Sequence, residues 1–289
     1  MIRTLKKEDW FHADGFPIAV ERRNPQQPFG LHAHEFSELV LVTGGRGLHV
    51  TGEDSWQLGV GDVFVIGGSR PHDYLNMENL QLINVLFDQQ ELAFELQDLP
   101  SLPGYHALFH LEPAWRQRHD FKSRLRLSPA DLRIAMGLID ELDEELEIRH
   151  TGFGFVTTAV FMQLVGFLSR CYDRAKNVDS CALLRIAQTI TFVESNYTET
   201  VHLDKLVDMS QMSKRSFLRA FEAAIGCTPI AYVIQLRLAR AAKLLRQTND
   251  SITDIALSVG FNDSNYFARQ FRKHFTVSPR AFRKHIGLQ

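Results

Sequence analysis

The 289-residue sequence predicts an α+β protein, with an N-terminal β-barrel, a helical segment behind it and a C-terminal all-α domain carrying two helix-turn-helix units. Three patterns support this. Residues 16–87 are short β-rich runs broken by Gly, Asn and Pro, helical spacing of apolar residues begins at Ser128, and the last third repeats itself at an interval of 50 residues. The boundaries that follow are 1–125 for the barrel, 126–178 for the helical segment and its linker, and 179–289 for the duplicated domain.

In the first region "FSELVLV", "GLHVTG", "DVFVIGG" and "LQLINVLF" read as strands, with "LGVGD" as a glycine-rich turn between two of them. "SPADLRIAMGLIDELDEELE" then offers Ser128 as an N-cap and Pro129 at the first helical position, and lays Leu132, Ala135, Met136, Ile139, Leu142 and Leu146 along one stripe. A second helix starts at Phe153, with Phe153, Val156, Val160, Phe161, Leu164 and Leu168 at helical spacing. Two such helices either cover a barrel or pair with another copy of the chain. "YDRAKNVDSC" is polar and uneven, the expected linker.

A hydrophobic fraction of 45% and a charged fraction of 23% describe an ordinary globular protein. Cys171, Cys181 and Cys227 are odd in number and lack CxxC spacing, so reduced thiols and a cytoplasmic location are expected. "MIRTLKKEDWF" has no apolar core of the signal-peptide kind. The longest apolar run, "FGFVTTAVFMQLVGFL", is short for a bilayer span, so no membrane partner is expected. The net charge of -2 conceals an asymmetry: 17 Lys and Arg against 25 Asp and Glu up to Asn177, and 15 against 9 beyond it. An acidic half joined to a basic half points to a polyanion as the partner of the second half.

The repeat aligns "SFLRAFEAAIGCTPIAYV" from Ser216 with "YFARQFRKHFTVSPRAFR" from Tyr266, matching Phe217 to Phe267, Arg219 to Arg269, Phe221 to Phe271, Pro229 to Pro279 and Tyr232 to Phe282. Each copy reads as a short helix, a tight turn, a second helix and a Thr/Ser-Pro opening the next segment. The two Phe of each copy, four apart, share one helical face and should be buried. That leaves Lys214, Arg215, Leu218 and Arg219 exposed on the first copy and Ser264, Asn265 and Arg269 on the second. Arg can bond guanine edges in pairs and Asn adenine edges, as a reader of the DNA major groove must. Arg272 and Lys273 add charge suited to phosphates.

The second copy, "DIALSVGFNDSNYFARQFRKHFTVSPRAFR", resembles the signature of AraC/XylS-family transcription regulators, with Gly260-Phe261, Ser264, Tyr266-Phe267, Phe271, Ser278-Pro279 and Phe282-Arg283 in place. It departs at Thr276, where the family usually has a Gly to end the helix in a left-handed conformation. The resemblance spans roughly residues 180–289 and implies two helix-turn-helix motifs entering successive major grooves of double-stranded promoter DNA. It assigns the base-facing positions to Arg215, Leu218 and Arg219, and to Ser264, Asn265 and Arg269. Leu218 stands where a polar residue is common and suits a thymine methyl.

In the first half, "GLHAHEFSELVLVTGG" and "GVGDVFVIGGSRPHDYLN" space His32, His34, Glu38 and Gly45, then Gly61, Gly67, His72 and Asn76, in a way that resembles the two cupin signature motifs. Strand alternation puts His32, His34 and Glu38 on one face, and a barrel interior can set His72 opposite. Three readings stay open. The four residues hold Zn, Mn, Fe or Ni for oxygenase or isomerase chemistry, or they line a sensor pocket with Tyr74, or they satisfy buried backbone groups. The sensor reading is the one the family resemblance implies, so the chain is expected not to be an enzyme and to require no cofactor, a divalent transition metal being compatible with the spacing.

"HEFSELVLVTGGRGLHV", "LINVLF" and "LPGYHALFHLEPAWR" also resemble stretches of the regulators of bacterial L-rhamnose operons. The resemblance implies a sugar effector, activation of a catabolic operon through RNA polymerase, and a homodimer formed through the helices at 128–147 and 153–172. A cupin metalloenzyme fused to a DNA-binding module, and a ligand-independent repressor or architectural protein, are the competing functions.

Overall fold

A computed structural model describes residues 2–52, 54–68, 70–92, 98–115, 125–174 and 178–286. The chain divides into two units, residues 1–187 and 188–289. In the first come β1 (Arg3–Leu5), α1 (Lys7–Trp10), β2 (Ile18–Arg23), β3 (His32–His34), β4 (Ser37–Thr51), β5 (Asp54–Gly59), β6 (Asp62–Ile66) and β7 (Asp73–Phe87). A helical stretch follows, α2 (Pro103–Tyr105), a π-helical turn over His106–Leu111 and α3 (Glu112–Trp115), then β8 (Leu125–Arg126), α4 (Pro129–Ile148) and α5 (Phe153–Arg174).

The main sheet runs β2-β7-β4-β6-β8, with β5 paired to the far half of β4 and β1 parallel to β3 in a small second sheet. β4 and β7 are its long spine, paired from Ser37–Phe87 to Val50–Asp73. Register shifts interrupt them beyond Val42, at the glycines of "TGGRG". Gly45 sits there at φ 66, and a Cβ on it would meet the backbone carbonyls of Asn79 and Glu78 within 2.5 Å, so the bulge requires glycine.

Alternation gives the sheet two faces. Val40, Val42, Phe64, Ile66, Leu80 and Leu82 pack together on one. The other carries Ile18, Leu39, Ile83, Val85 and Phe87, all buried, and meets the helices: Phe87 packs against Phe161 of α5 with ring centres 5.2 Å apart, and Arg22 of β2 pairs with Asp140 and Asp143 of α4 at 2.7 Å each. α4 begins as expected, Ser128 accepting a hydrogen bond from the Asp131 backbone N–H and Pro129 in the first turn. α5 is long and apolar enough to cross a membrane by length and composition alone, but its Val160, Phe161, Leu164 and Leu168 stripe is buried in the unit and it packs against α2, α4 and the π-helical turn.

The linker expectation is corrected. Tyr172–Arg174 belong to α5, and Val178–Cys181 open α6 (Val178–Asn196); residues 175–177 lie outside the described residues. Tyr172 cannot be a linker residue because it is fully buried and donates its hydroxyl to the equally buried Glu112 at 2.9 Å. α6 runs through both the expected boundary at 179 and the observed one at 188. Its end is fixed within the second unit, where Glu194 accepts from the Tyr232 hydroxyl at 2.7 Å and Arg237 donates to the carbonyls of Tyr197 and Glu199.

The second unit continues with α7 (Leu203–Ser210), α8 (Lys214–Ile225), α9 (Pro229–Gln247), α10 (Ile252–Ser258), α11 (Ser264–Phe275) and α12 (Pro279–Ile286). The sequence repeat is a structural one: α7–α8 and α10–α11 are the two helix-turn-helix units, the second longer by one residue from helix start to helix start, and α9 lies between them in the chain. Phe217, Phe221, Phe267 and Phe271 are fully buried. Side-chain caps recur at equivalent places, Ser213 and Asp263 before the second helices and Thr228 and Ser278 before the helices that follow.

The turn after the second helix differs between copies. Gly226 ends α8 at φ 84, and Thr276, its counterpart, ends α11 at φ 65. The chain therefore keeps the left-handed turn without the glycine, against a steric cost to a β-branched residue. Replacing Thr276 by Gly is expected to raise unfolding stability by about 1 kcal/mol, read as a higher urea midpoint at unchanged m-value.

Candidate ligand pocket and nucleic-acid interface

The two histidine motifs meet through their backbones. His32 and His72 exchange both amide hydrogen bonds, at 2.8 and 3.1 Å, which fixes β3 against the start of β7. The His32 and His34 rings then lie 4.3 and 5.2 Å from the His72 ring. Glu38, the second residue of β4, places its carboxylate 3.2 Å from Nε2 of His34 and 3.6 Å from Nε2 of His72. All four side chains are buried.

Backbone carbonyls set the ring tautomers. A carbonyl only accepts, so the Nδ1–H groups of His32, His34 and His72 donate to Gly30, Phe36 and Arg70 respectively. His34, Glu38 and His72 thus bring three ligand atoms within 4.8 Å of one another, while His32 is not part of that convergence and stacks edge-on against Phe29 at 4.6 Å. Two imidazole nitrogens and a carboxylate are a donor set that fits a divalent transition metal. Burial pushes the Glu38 carboxyl up, but the neighbouring imidazoles, His34 foremost, outweigh it and hold the group below its ordinary value. Burial pushes the His72 imidazole down to about 4.

A cleft opens beside this cluster. His32, His34, Glu38 and Tyr74 line it; His72 is fully buried and does not. Sequence reasoning missed the rest of the lining. Glu21 and Arg23 project from β2 and form an ion pair at 3.0 Å, with the Arg23 guanidinium 5.5 Å above Trp10, and Asn84 of β7 stands directly across from Glu21. The signal was present in "IAVERR": residues at alternate positions of a strand share one face, which sets Glu21 and Arg23 side by side. His49 was also passed over, and it is buried among Trp56, Phe64 and Tyr74.

In the helical unit burial of the phenylalanines leaves the opposite face open. Lys214, Arg215 and Arg219 of α8 are exposed, as are Asn265, Arg269, Arg272 and Lys273 of α11, while Leu218 and Ser264 are half-buried. Lys214 turns back to its own motif, donating to Asp204 of α7 at 3.0 Å. The Arg269 guanidinium lies 5.8 Å from the centre of the Tyr266 ring, one helical turn earlier. Two exposed faces of this composition, on the second helix of each motif, are suited to base edges and phosphates.

Comparison with known proteins agrees with both halves. An AraC-like ligand binding domain matches residues 17–150, and a helix-turn-helix domain matches residues 206–285. The HTH-type transcriptional activator RhaS of Enterobacter sp. (strain 638) is 32% identical over 282 residues, covering 97% of this chain and 96% of that protein. The chain belongs to the AraC family of transcription regulators. Another relative, the HTH-type transcriptional activator RhaR of Mannheimia succiniciproducens, is 27% identical across 98% of this chain and 97% of its own length. Among solved structures, an AraC-type DNA-binding regulator from Chromobacterium violaceum is 32% identical, covering 35% of this chain and 91% of that one, with a TM-score of 0.34. As an AraC-family regulator the protein binds DNA through its helix-turn-helix domain and a small-molecule effector through its N-terminal domain, and it is not an enzyme.

The cluster under the cleft predicts acid sensitivity. With a folded value of about 4 against 6.5 in the unfolded chain, His72 contributes stability that is present above pH 6.5 and lost as the pH falls toward 4. Glu38, held low in the folded state, adds a loss of the same sign at the acid end. In protein freed of divalent cations the denaturant midpoint should decline over this range, and H72Q should decline less steeply.

Proposed function

We propose that this regulator is a sugar-responsive activator of a catabolic operon, with L-rhamnose or a related deoxy- or pentose sugar as its effector. One feature of the cleft carries the reading. Asn84 turns a side-chain oxygen inward that is buried and without a hydrogen-bond partner among the described residues. An unpaired buried acceptor costs free energy until a donor arrives, and a sugar hydroxyl is such a donor. Glu21, Arg23 and Gln26 add polar partners, and Trp10 and Phe29 offer flat apolar surface for the carbon face of a ring. The activators RhaS and RhaR named above share nearly the whole length of the chain, which favours an effector of the same class. L-Rhamnose is expected to raise the melting temperature of the full-length protein by mass action, and N84L to abolish the shift; a screen of sugars in which none shifts it would sink the reading.

At the promoter, Arg215, Leu218 and Arg219 of α8 and Ser264, Asn265 and Arg269 of α11 read base edges in the major groove, and Lys214, Arg272 and Lys273 meet phosphates. α4 and α5 supply the homodimer contact, a role favoured by the exposure of Ile134, Ile148 and Phe155, the last 82% open. A dimer presents two DNA-binding units to two half-sites and a surface to RNA polymerase, working in the cytoplasm. No cofactor is needed for this, although a divalent transition metal at His34, Glu38 and His72 is compatible with it. R269A is expected to lower specific promoter affinity by about 1–3 kcal/mol and to relax preference at one base pair, measured by binding to a panel of single-base operator variants.

A further inference from the structure

Resting on the sugar-effector reading, we propose that Glu21 and Asn84 act together as the specificity-determining pair of the cleft, each accepting one hydroxyl from adjacent carbons of the effector, with Arg23 donating back to the same two oxygens. The ligand class that this pair selects is a neutral vicinal diol.

Strand register brings the two together. Glu21 of β2 and Asn84 of β7 are directly opposed in the antiparallel ladder, and both line the cleft. Side chains opposed in this way have Cβ atoms about 4.5–5.5 Å apart, so their polar ends are within reach of neighbouring atoms of one small molecule. Asn84 is 8% exposed, and its Oδ1 is buried with no hydrogen-bond partner among the described residues. An acceptor in that state is stabilised by a donor that reaches it. The Glu21 carboxylate meets Arg23 through Oε2 at 3.0 Å and, with about four lone-pair sites, keeps capacity for a further donor.

Two acceptors side by side call for two donors. Hydroxyls on adjacent carbons supply them, each free to turn its proton to its own acceptor. An ammonium group would also satisfy two acceptors, and Arg23 decides against it. Its guanidinium, paired with Glu21 and 5.5 Å above Trp10, already brings positive charge to this stretch of wall, so a second cation there would be repelled. Hydroxyls have the opposite advantage. An oxygen that gives its proton to Glu21 or Asn84 still has lone pairs for the guanidinium, whose N–H groups only donate. A carboxylate or phosphate in place of the diol is disfavoured as well, because it brings no donor to the Asn84 oxygen and sets a negative charge beside Glu21 and the ionised Glu38.

Isothermal titration of full-length protein supplies the test. The sugar that binds most tightly in the melting screen, L-rhamnose in the expected case, is compared with its derivatives lacking one hydroxyl, against wild type, E21A and N84A. Two derivatives, deoxygenated at adjacent carbons, should bind wild type about 10- to 100-fold more weakly. E21A should show a loss of the same size for the intact sugar and no further loss for one of those derivatives, and N84A should do the same with the other, since a bond already absent cannot be lost twice. E21Q, which keeps an acceptor in place, should recover part of the affinity and selectivity that E21A loses. Unliganded melting temperatures report that each variant is folded. Wild type that tolerates every single deoxygenation overturns the diol pair without recourse to a variant, as do penalties that add throughout, or coupled hydroxyls on carbons that are not adjacent. Those outcomes leave the effector reading standing, because the sugar still binds. A screen in which no sugar binds sinks that reading and the diol pair with it.

Discussion

The pairing of β4 with β7 is the constraint on which the N-terminal domain depends. Over Glu38–Val42 and Leu82–Phe87 the two strands are buried on both faces, one face against helices and the other toward the cleft, so their register decides which residues perform which task. A slip of one residue would turn Glu38 and Asn84 toward the helices and Leu39 and Val85 into the cleft. A charged group and an unsatisfied amide would then be buried in apolar packing, at a cost of several kcal/mol, which is why no such slip competes with the native pairing. The reciprocal bonds between His32 and His72 complete the arrangement by tying the first motif to the second across the mouth of the sheet. The cleft is thus a consequence of strand register, and its polar lining is tolerable only because its partners are also placed by that register.

The DNA-binding unit obeys the same logic with a different period. Phe217 and Phe221 on α8, and Phe267 and Phe271 on α11, are fully buried, and truncating any one of them to Ala would cost about 3–5 kcal/mol. That anchor sets the rotation of each helix about its own axis. Arg215 and Arg219, or Asn265 and Arg269, then have no choice but to face outward. The exposed residues proposed to read bases are aimed by apolar residues on the opposite face, and the duplication lets one packing solution serve twice. Thr276 shows how firmly the solution is held: the chain accepts a left-handed threonine there rather than alter the turn between α11 and α12.

Much of this was legible in the sequence, for definable reasons. A 50-residue repeat of aromatic, arginine and proline positions reports a folded unit directly, because the same contacts demand the same residues twice. Ser128-Pro129 marked the start of α4 to the residue because capping is a local interaction. The histidine and glutamate set was visible because ligand-like residues are rare at such spacing, but its geometry was not. That His32 stands apart from His34, Glu38 and His72 depends on which way each imidazole turns, a choice made by carbonyls of Gly30, Phe36 and Arg70. Glu21 and Asn84 escaped notice because they are 63 positions apart and become neighbours only through the β2–β7 ladder. The supposed linker failed on composition: "YDRAKNVDSC" is polar on average, yet its Tyr172 fills a buried site beside Glu112, and average polarity cannot report a single buried contact.

The two halves of the regulator can influence each other only through differential binding. An effector that filled the cleft equally well in the resting and activating arrangements would change nothing, however tightly it bound. The cleft has features that make such a difference attainable. Its lining comes from β2, the segment carrying Gln26 and Phe29, α1 and the sheet spine, and these elements differ in how firmly they are held. Glu38 and Asn84 sit on the β4–β7 spine, locked on both sides, whereas Phe29 is 41% exposed and held by edge contacts with Trp10 and His32. In the proposed effector reading, ligand contacts to the spine would supply affinity common to both states. In the same reading, contacts to Gln26, Phe29 and Trp10 would fall on the more exposed part of the wall. The residues that distinguish the two states should therefore be sought among these aromatic and amide groups at the rim, while the histidine and carboxylate cluster is buried in the sheet beneath.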